Sequence, residues 1–571
     1  MKKILISLIS LTLLSTGCNE DKFLTKVNPN TITQETFWNS AADFQSALTT
    51  VYGALQFPSV SGGSRLQNEE VMTDLGGTDT WYPGFTFRVL TFNDATQYVN
   101  DKWNQLYIGI FRANQVIERI QTTDIELSTN EKNEIEAQAK ALRAFFYFEL
   151  VNTYGQAVLH TKVPVEKEDF KKPLVTGAEI TKQLIIPDLE FAIENLPLTW
   201  SNSDMGRTTK GMAQSLLGKV QLFNKNYADA AKHFKAVIDS KVYRLENDPM
   251  ANFTDANEFN SESIFEVAFN GSYGAGIPAG NVDDTPFSSG AESSDFTNVL
   301  APLPKGGFNT LVPSYFIHEL LINDEMDPDN TVNLGKKESR RLFASIFPRN
   351  GEGEYYQLEN TQSVFFNPFH SAFIKKYTNW YKFKNEDPVN NKTGINFRHI
   401  RLADVYLMYA EALLNVQGES AVNEALNYID LVRARAGVIT LKKYMENNSG
   451  QFPQLHISKQ VHGAYPMVAA NAENILIHIM RVERPLELCF EGHRWNDLKR
   501  WGIVKQVYDE MRADEVWRVE NSDKFTVNFA PLYINGQNIR IDFNLASQNY
   551  NSASHDYLPI PSNEVQANDN L

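Results

Sequence analysis

Residues 207–240 read RTTKGMAQSLLGKVQLFNKNYADAAKHFKAVIDS. Apolar positions recur near every third or fourth residue on both sides of Lys225-Asn226-Tyr227, so the stretch reads as two amphipathic helices joined by a polar turn. Gly218 lies twelve places before Ala230, Phe234 follows four later, and Val237 three beyond that. Small residues let two paired helices approach closely, and a large ring then fills the space between them.

This spacing resembles a tetratricopeptide helical hairpin. A less regular second copy spans Leu402 to Ala436, with Ala410, Ala412, Ala425, Ile429 and Val432. The distance between the copies implies a solenoid interrupted by an insertion. Further helical periodicity is found over 34–57, 101–120, 130–154, 178–196, 398–436 and 472–508, and Ser128-Thr129 offers caps for the third of these. Residues 58–100 are broken by Pro58, Gly62-Gly63, Gly76-Gly77 and Pro83-Gly84, and are expected to form a long structured loop. Residues 245–400 are punctuated by Asn, Asp, Ser, Gly and Pro. The expected fold is mainly α: a tetratricopeptide-like helical-hairpin scaffold, or α-α superhelix, with long irregular loops and a few short strands. The scaffold would occupy 31–240 and 398–508, the loop-rich insertion 245–397, and a C-terminal tail 509–571, all within one globular domain over 31–571.

The 571 residues are 42% hydrophobic and 21% charged, which is globular rather than disordered composition. A net charge of −16 argues against a nucleic-acid partner, because neutralising phosphates requires a concentrated basic surface. Lys2 and Lys3 precede an apolar run from Ile4 to Leu14 that is too short to span a bilayer. Leu14-Ser15-Thr16-Gly17-Cys18 then resembles a bacterial lipoprotein signal, with Ser15 where the usual pattern has Leu and Leu14 one place further back. On this reading residues 1–17 are a signal peptide, Cys18 is acylated, and 18–30 form a tether. The expected location is the outer membrane, lipid-anchored. Asn19-Glu20-Asp21 resembles the surface-export signal of Bacteroidetes lipoproteins. With Cys18 acylated no intramolecular disulfide is available, and Cys489 is expected to be a small buried hydrophobe.

The run ERPLELCFEGHRWNDLKRWG, residues 483–502, resembles the signature of the SusD/RagB family of nutrient-binding outer-membrane lipoproteins. Matching segments follow in order: Ala141 to Leu150 with Tyr154-Gly155, Arg207 to Leu222, Tyr406 to Ala412, and Leu558-Pro559-Ile560-Pro561. The resemblance implies a non-catalytic protein that binds glycan and delivers it to a TonB-dependent SusC-like transporter. Peptide is the alternative cargo, and a surface glycoside hydrolase is a third reading. Within the motif, Glu483, Glu487 and Glu491 lie four apart among arginines, which reads as a paired-charge network in a structural helix hairpin. Pro485 implies a kink or a helix start. The sequence contains no Gly-x-Ser-x-Gly elbow, His-Glu-x-x-His site or P-loop. No cofactor or metal is expected, because Asp324, Asp327 and Asp329 lack the spacing and glycine of a calcium loop.

Sugars present apolar faces edged by hydroxyls, so a binder needs flat rings beside carboxylates or amides. The loop Asp74-Leu75-Gly76-Gly77-Thr78-Asp79-Thr80-Trp81-Tyr82-Pro83-Gly84 supplies both, nominating Trp81, Tyr82, Asp79 and Asp74. The competing reading has Trp81 packed inward to pin the loop, and Asp79 capping a turn. In the family, ligand residues come from this loop and from the irregular middle. By position that nominates Tyr273 and Phe287, with Trp380 and Tyr381 as weaker partners. Trp81→Ala is expected to weaken oligosaccharide binding by about 1 to 3 kcal/mol without unfolding the protein, a difference titration calorimetry would read.

Overall fold

Helices 210–223 and 227–239 form an antiparallel hairpin in the computed structural model. A Cβ placed on Gly218 would lie 2.7 Å from the Phe234 ring, so only glycine permits this approach. Thr209 caps the first helix by accepting from the Met212 amide. The structure describes residues 37–78, 82, 84–272, 292–348, 351–359, 372–386, 393–521, 534–535, 538–539 and 542–571.

The hairpin belongs to a longer series. Helix 41–53 packs on helix 97–122, which packs on helix 129–154. Helix 186–195 follows, preceded by a short helix and a π-helical turn over 177–185, and it packs on both 129–154 and 210–223. Helix 227–239 then meets helix 402–417, which pairs with 422–436. The solenoid therefore continues directly across the insertion. Ala410, Ala412, Ala425, Ile429 and Val432 all lie in its core. Helix 129–154 carries a reciprocal capping box, in which Ser128 accepts from the Glu131 amide and Glu131 accepts from Ser128.

Strands are short. Among the described residues every sheet is two-stranded. The longest pairs 263–267 with 397–401, antiparallel and interrupted by bulges. No helix among the described residues is long and apolar enough to cross a membrane.

Two expectations need correction. Residues 58–100 are not one loop; they hold short helices at 58–61, 63–69 and 85–88, and the following long helix begins at Gln97. Pro58 and Gly63 open two of these helices, Gly62 lies between them, and Gly76-Gly77 form a short strand. Nor do Glu483, Glu487 and Glu491 share one helix, because the expected hairpin turns between Leu488 and Arg494. A π-helical turn, 479–483, runs into helix 484–488; the Arg484 amide donates to the Ile479 carbonyl in the wider π register, and Pro485, which has no amide N–H, follows directly. Phe490 and Gly492 take positive φ, and a new helix runs from Arg494 to Trp501.

That break brings three buried acids onto one guanidinium. Arg401, at the end of strand 397–401, donates to Glu262 at 2.8 Å, Glu487 at 2.7 Å and both oxygens of Glu491 at 2.8 Å. Arg435 donates to Glu262 at 2.9 Å and also to Glu487. Arg433 binds Glu483 at 2.8 Å and Asp324 at 2.9 Å, and Arg341 contacts the same two acids. Burial would raise the Glu262 carboxyl, but Arg435 and Arg401 outweigh it and hold it at about 2. Cys489, beside this cluster in sequence, is fully buried.

Removing one partner of a buried pair strands the other without solvent. Arg401→Met is therefore expected to destabilise the protein by at least about 3 to 5 kcal/mol, read as a lower midpoint in urea unfolding.

Candidate functional site

The charge cluster also anchors the roots of three loops. Arg494 grips Asp74 through two hydrogen bonds of 2.8 and 2.7 Å. The Gly492 amide donates to Glu70 at 2.7 Å, and the Tyr508 hydroxyl donates to the Met72 carbonyl. Just beyond Asp74, Gly76-Gly77 pairs with Val312-Pro313. A Cβ on Gly76 would lie 2.6 Å from the Glu70 carbonyl oxygen, so no larger residue fits there. This antiparallel pairing ties the strand that closes at Gly77 to the end of the segment leading into Val312. On the other side, Lys376 donates to Glu491 at 2.8 Å and to the Glu487 carbonyl at 2.9 Å, which holds the start of segment 376–386.

The loops are tied to one another at their tips. Tyr82 donates its hydroxyl to the Phe308 carbonyl. Asn385 donates to the Lys305 carbonyl at 2.7 Å and accepts from the Tyr356 hydroxyl at 2.7 Å. Lys305 donates to the Phe383 carbonyl at 2.8 Å, and its ammonium sits 4.2 Å from the Phe383 ring centroid. Burial pushes the Lys305 ammonium below its ordinary pKa. Within this tied set Leu303, Phe308 and Phe383 remain 70%, 44% and 61% exposed. Three large apolar side chains on hydrogen-bonded loops form a surface able to stack flat apolar faces, with Lys305 as a polar neighbour and Asn385 buried beneath as a tie between the loops.

The nominated residues divide. Tyr82 is partly exposed and joins this face. Asp74 departs from the expectation of a ligand carboxylate: it is fully buried and both its oxygens are taken by Arg494. Trp380 packs against Phe343 with ring centroids 5.4 Å apart, and the Lys375 ammonium lies 3.8 Å from its own centroid. Its indole N–H points to the Met250 sulfur at 3.2 Å. Tyr381 donates its hydroxyl to Asp255, and burial raises its pKa. Trp380 and Tyr381 are thus engaged with Phe343, Lys375, Met250 and Asp255. Asp79, Trp81, Tyr273, Phe287 and Cys18 lie outside the described residues. Leu303, Lys305, Phe308 and Phe383 were not singled out from the sequence. Phe308 follows Pro302-Leu303-Pro304-Lys305-Gly306-Gly307, a ring among glycines and prolines like Trp81, and that likeness was the available signal.

Other clusters are accounted for by pairing. Asp324 is held by two arginines, and Asp327 and Asp329 by Lys443 at 2.5 and 2.6 Å. Among the described residues no group of three or more His, Cys, Asp or Glu could hold a metal.

The helical solenoid, the buried arginine–carboxylate cluster and the loop face together describe a helical ligand-holding scaffold. Residues 261–571 match the family model described as "SusD family", and 22–222 match one described as "Starch-binding associating with outer membrane". The chain belongs to the SusD family. It is 27% identical over 518 residues to a SusD-like protein of Formosa agariphila, covering 89% of this chain and 92% of that protein. A SusD superfamily protein of Bacteroides vulgatus superposes with a TM-score of 0.71 at 23% identity, over 94% of this chain and 98% of that one. A laminarin-binding SusD-like protein superposes at 0.65 with 24% identity, over 92% and 97%.

A surface ligand residue can be replaced without loss of fold, whereas a buried ion-pair partner cannot. Asp74→Ala is expected to cost about 3 to 5 kcal/mol of stability, as a lower denaturant midpoint, by leaving Arg494 charged and unpaired.

Proposed function

We propose that this chain is a non-catalytic outer-membrane lipoprotein that holds a glycan on the face built by Tyr82, Leu303, Phe308 and Phe383. The exposed rings of Phe308 and Phe383, held on tied loops, carry this reading. Such rings stack on the apolar faces of pyranoses, and the neighbouring Lys305 ammonium suits sugar hydroxyls. A relative with this fold is described as laminarin-binding, which supports a glycan ligand here. The acids of the 483–502 motif and Glu262 are buried and held by arginines, so this motif serves structure and supplies no proton to a substrate.

Anchoring would follow from acylation at Cys18, with 1–17 removed and 18–30 as the tether. The lipid would keep bound glycan beside a TonB-dependent SusC-like transporter and raise its effective concentration at the pore.

Affinity electrophoresis of the mature protein against polysaccharides and peptides should show retardation by at least one glycan. Phe308→Ala and Phe383→Ala should each weaken that binding by about 1 to 3 kcal/mol, with the unfolding midpoint unchanged. Retardation by peptides alone, or release of reducing ends from any polysaccharide, would overturn the proposal.

A further inference from the structure

The loops that carry Phe308 and Phe383 differ in charge from the rest of the chain. Over the whole sequence Asp and Glu outnumber Lys and Arg by 69 to 53. Residues 296–311 and 376–385 contain no Asp or Glu and four lysines, Lys305, Lys376, Lys382 and Lys384. Two of the four are engaged by carboxylates. Lys376 donates to Glu491 at 2.8 Å, and Lys382 pairs with Asp255 and with Glu386. On the loop that carries Tyr82, the described acid Asp74 is buried on Arg494.

Lys305 and Lys384 remain. Among the described residues no carboxylate lies within 4 Å of either ammonium. Lys305 is partly exposed and gives one of its three N–H donors to the Phe383 carbonyl, which leaves two. Burial alone lowers its pKa, and no neighbouring acid opposes the shift. Lys384 is exposed and follows Phe383 in the chain.

A lone unpaired surface lysine marks nothing. The position of these two is what matters. Lys305 sits 4.2 Å from the Phe383 ring centroid and three residues before Phe308. A pyranose stacked on a ring holds its substituents around its own edge, within reach of side chains rooted beside that ring. Hydrogen bonds from an ammonium to an ionised acceptor are about twice as strong as those between neutral groups. The net charge of −16 does not cancel this local excess. At physiological ionic strength charges are screened over about 8 Å, so a ligand on the face responds to the nearest lysines before distant acids.

We propose that the glycan held on this face is anionic, its uronate carboxylates or sulfate esters paired with Lys305 and Lys384 while its sugar rings stack on Phe308 and Phe383. The inference rests on the glycan reading above and narrows it to charged polymers.

Affinity electrophoresis of the full mature protein tests it, with alginate, polygalacturonate, carrageenan and fucoidan, each beside its carboxyl-reduced or desulfated form. At least one anionic polymer should bind at least tenfold more tightly than its neutralised form. Whether carboxylates or sulfates give that gain identifies the charged group. Raising NaCl from about 20 to about 300 mM should remove most of the preference. Lys305→Gln combined with Lys384→Gln should bring the two forms to near-equal affinity, and the corresponding double arginine variant, which keeps both charges, should restore the difference. Phe383→Ala should weaken both forms alike, as loss of a shared stacking surface. Binding of neutral glycans with no gain for any anionic form would overturn this inference and leave the glycan reading standing. Equal loss of both forms in the double glutamine variant would overturn it too, since the lysines would then act on the loops and not on ligand charge. Retardation by no glycan, charged or neutral, would overturn both.

Discussion

Arg401 is the point on which the rest of the structure converges. Its guanidinium satisfies Glu262 from the insertion and both Glu487 and Glu491 from the motif, so one side chain joins three distant parts of the chain. Buried carboxylates are tolerated only when matched, and removing the match costs more than the pair contributes. Arg435, Arg433 and Arg341 extend the same logic to Glu483 and Asp324. The outcome is geometric specification: these charges can all be paired in one arrangement of the solenoid, the insertion and the C-terminal helices.

The function of the charge cluster is therefore positional. Arg494 on Asp74 and Lys376 on Glu491 hold the roots of two loops, and Gly76-Gly77 paired with Val312-Pro313 brings in the third. Loop tips can then be rich in exposed rings without collapsing onto one another, because their backbones are fixed from below. Phe308 and Phe383 stay outside because Lys305, Asn385 and Tyr82 bridge the loops that carry them.

Much of the architecture was legible in residue order. Gly218 and Phe234 announced a close helix pair, and the structure places that ring against that glycine. Ser128 announced a helix start, and a capping box is found there. The acid spacing of 483, 487 and 491 suggested pairing, and pairing is observed, although by a different route. The chain turns after Leu488, and Glu491 reaches Arg401 from outside the helix. Of the residues nominated from the sequence, Tyr82 lies on the exposed loop face, while Asp74 is buried as an ion-pair partner. A loop carboxylate looks the same in sequence whether it faces solvent or an arginine 420 places away.

Local pattern settled the helices and the hairpins, because periodicity, caps and small-residue spacing act over a few neighbours and need no distant partner. Which rings face outward, which acids are structural, and which loops share a surface depended on contacts between residues hundreds of positions apart, such as Tyr82 with Phe308 and Gly492 with Glu70. Burial and ion pairing are properties of the assembled interior. They were decided only when the insertion closed onto the solenoid.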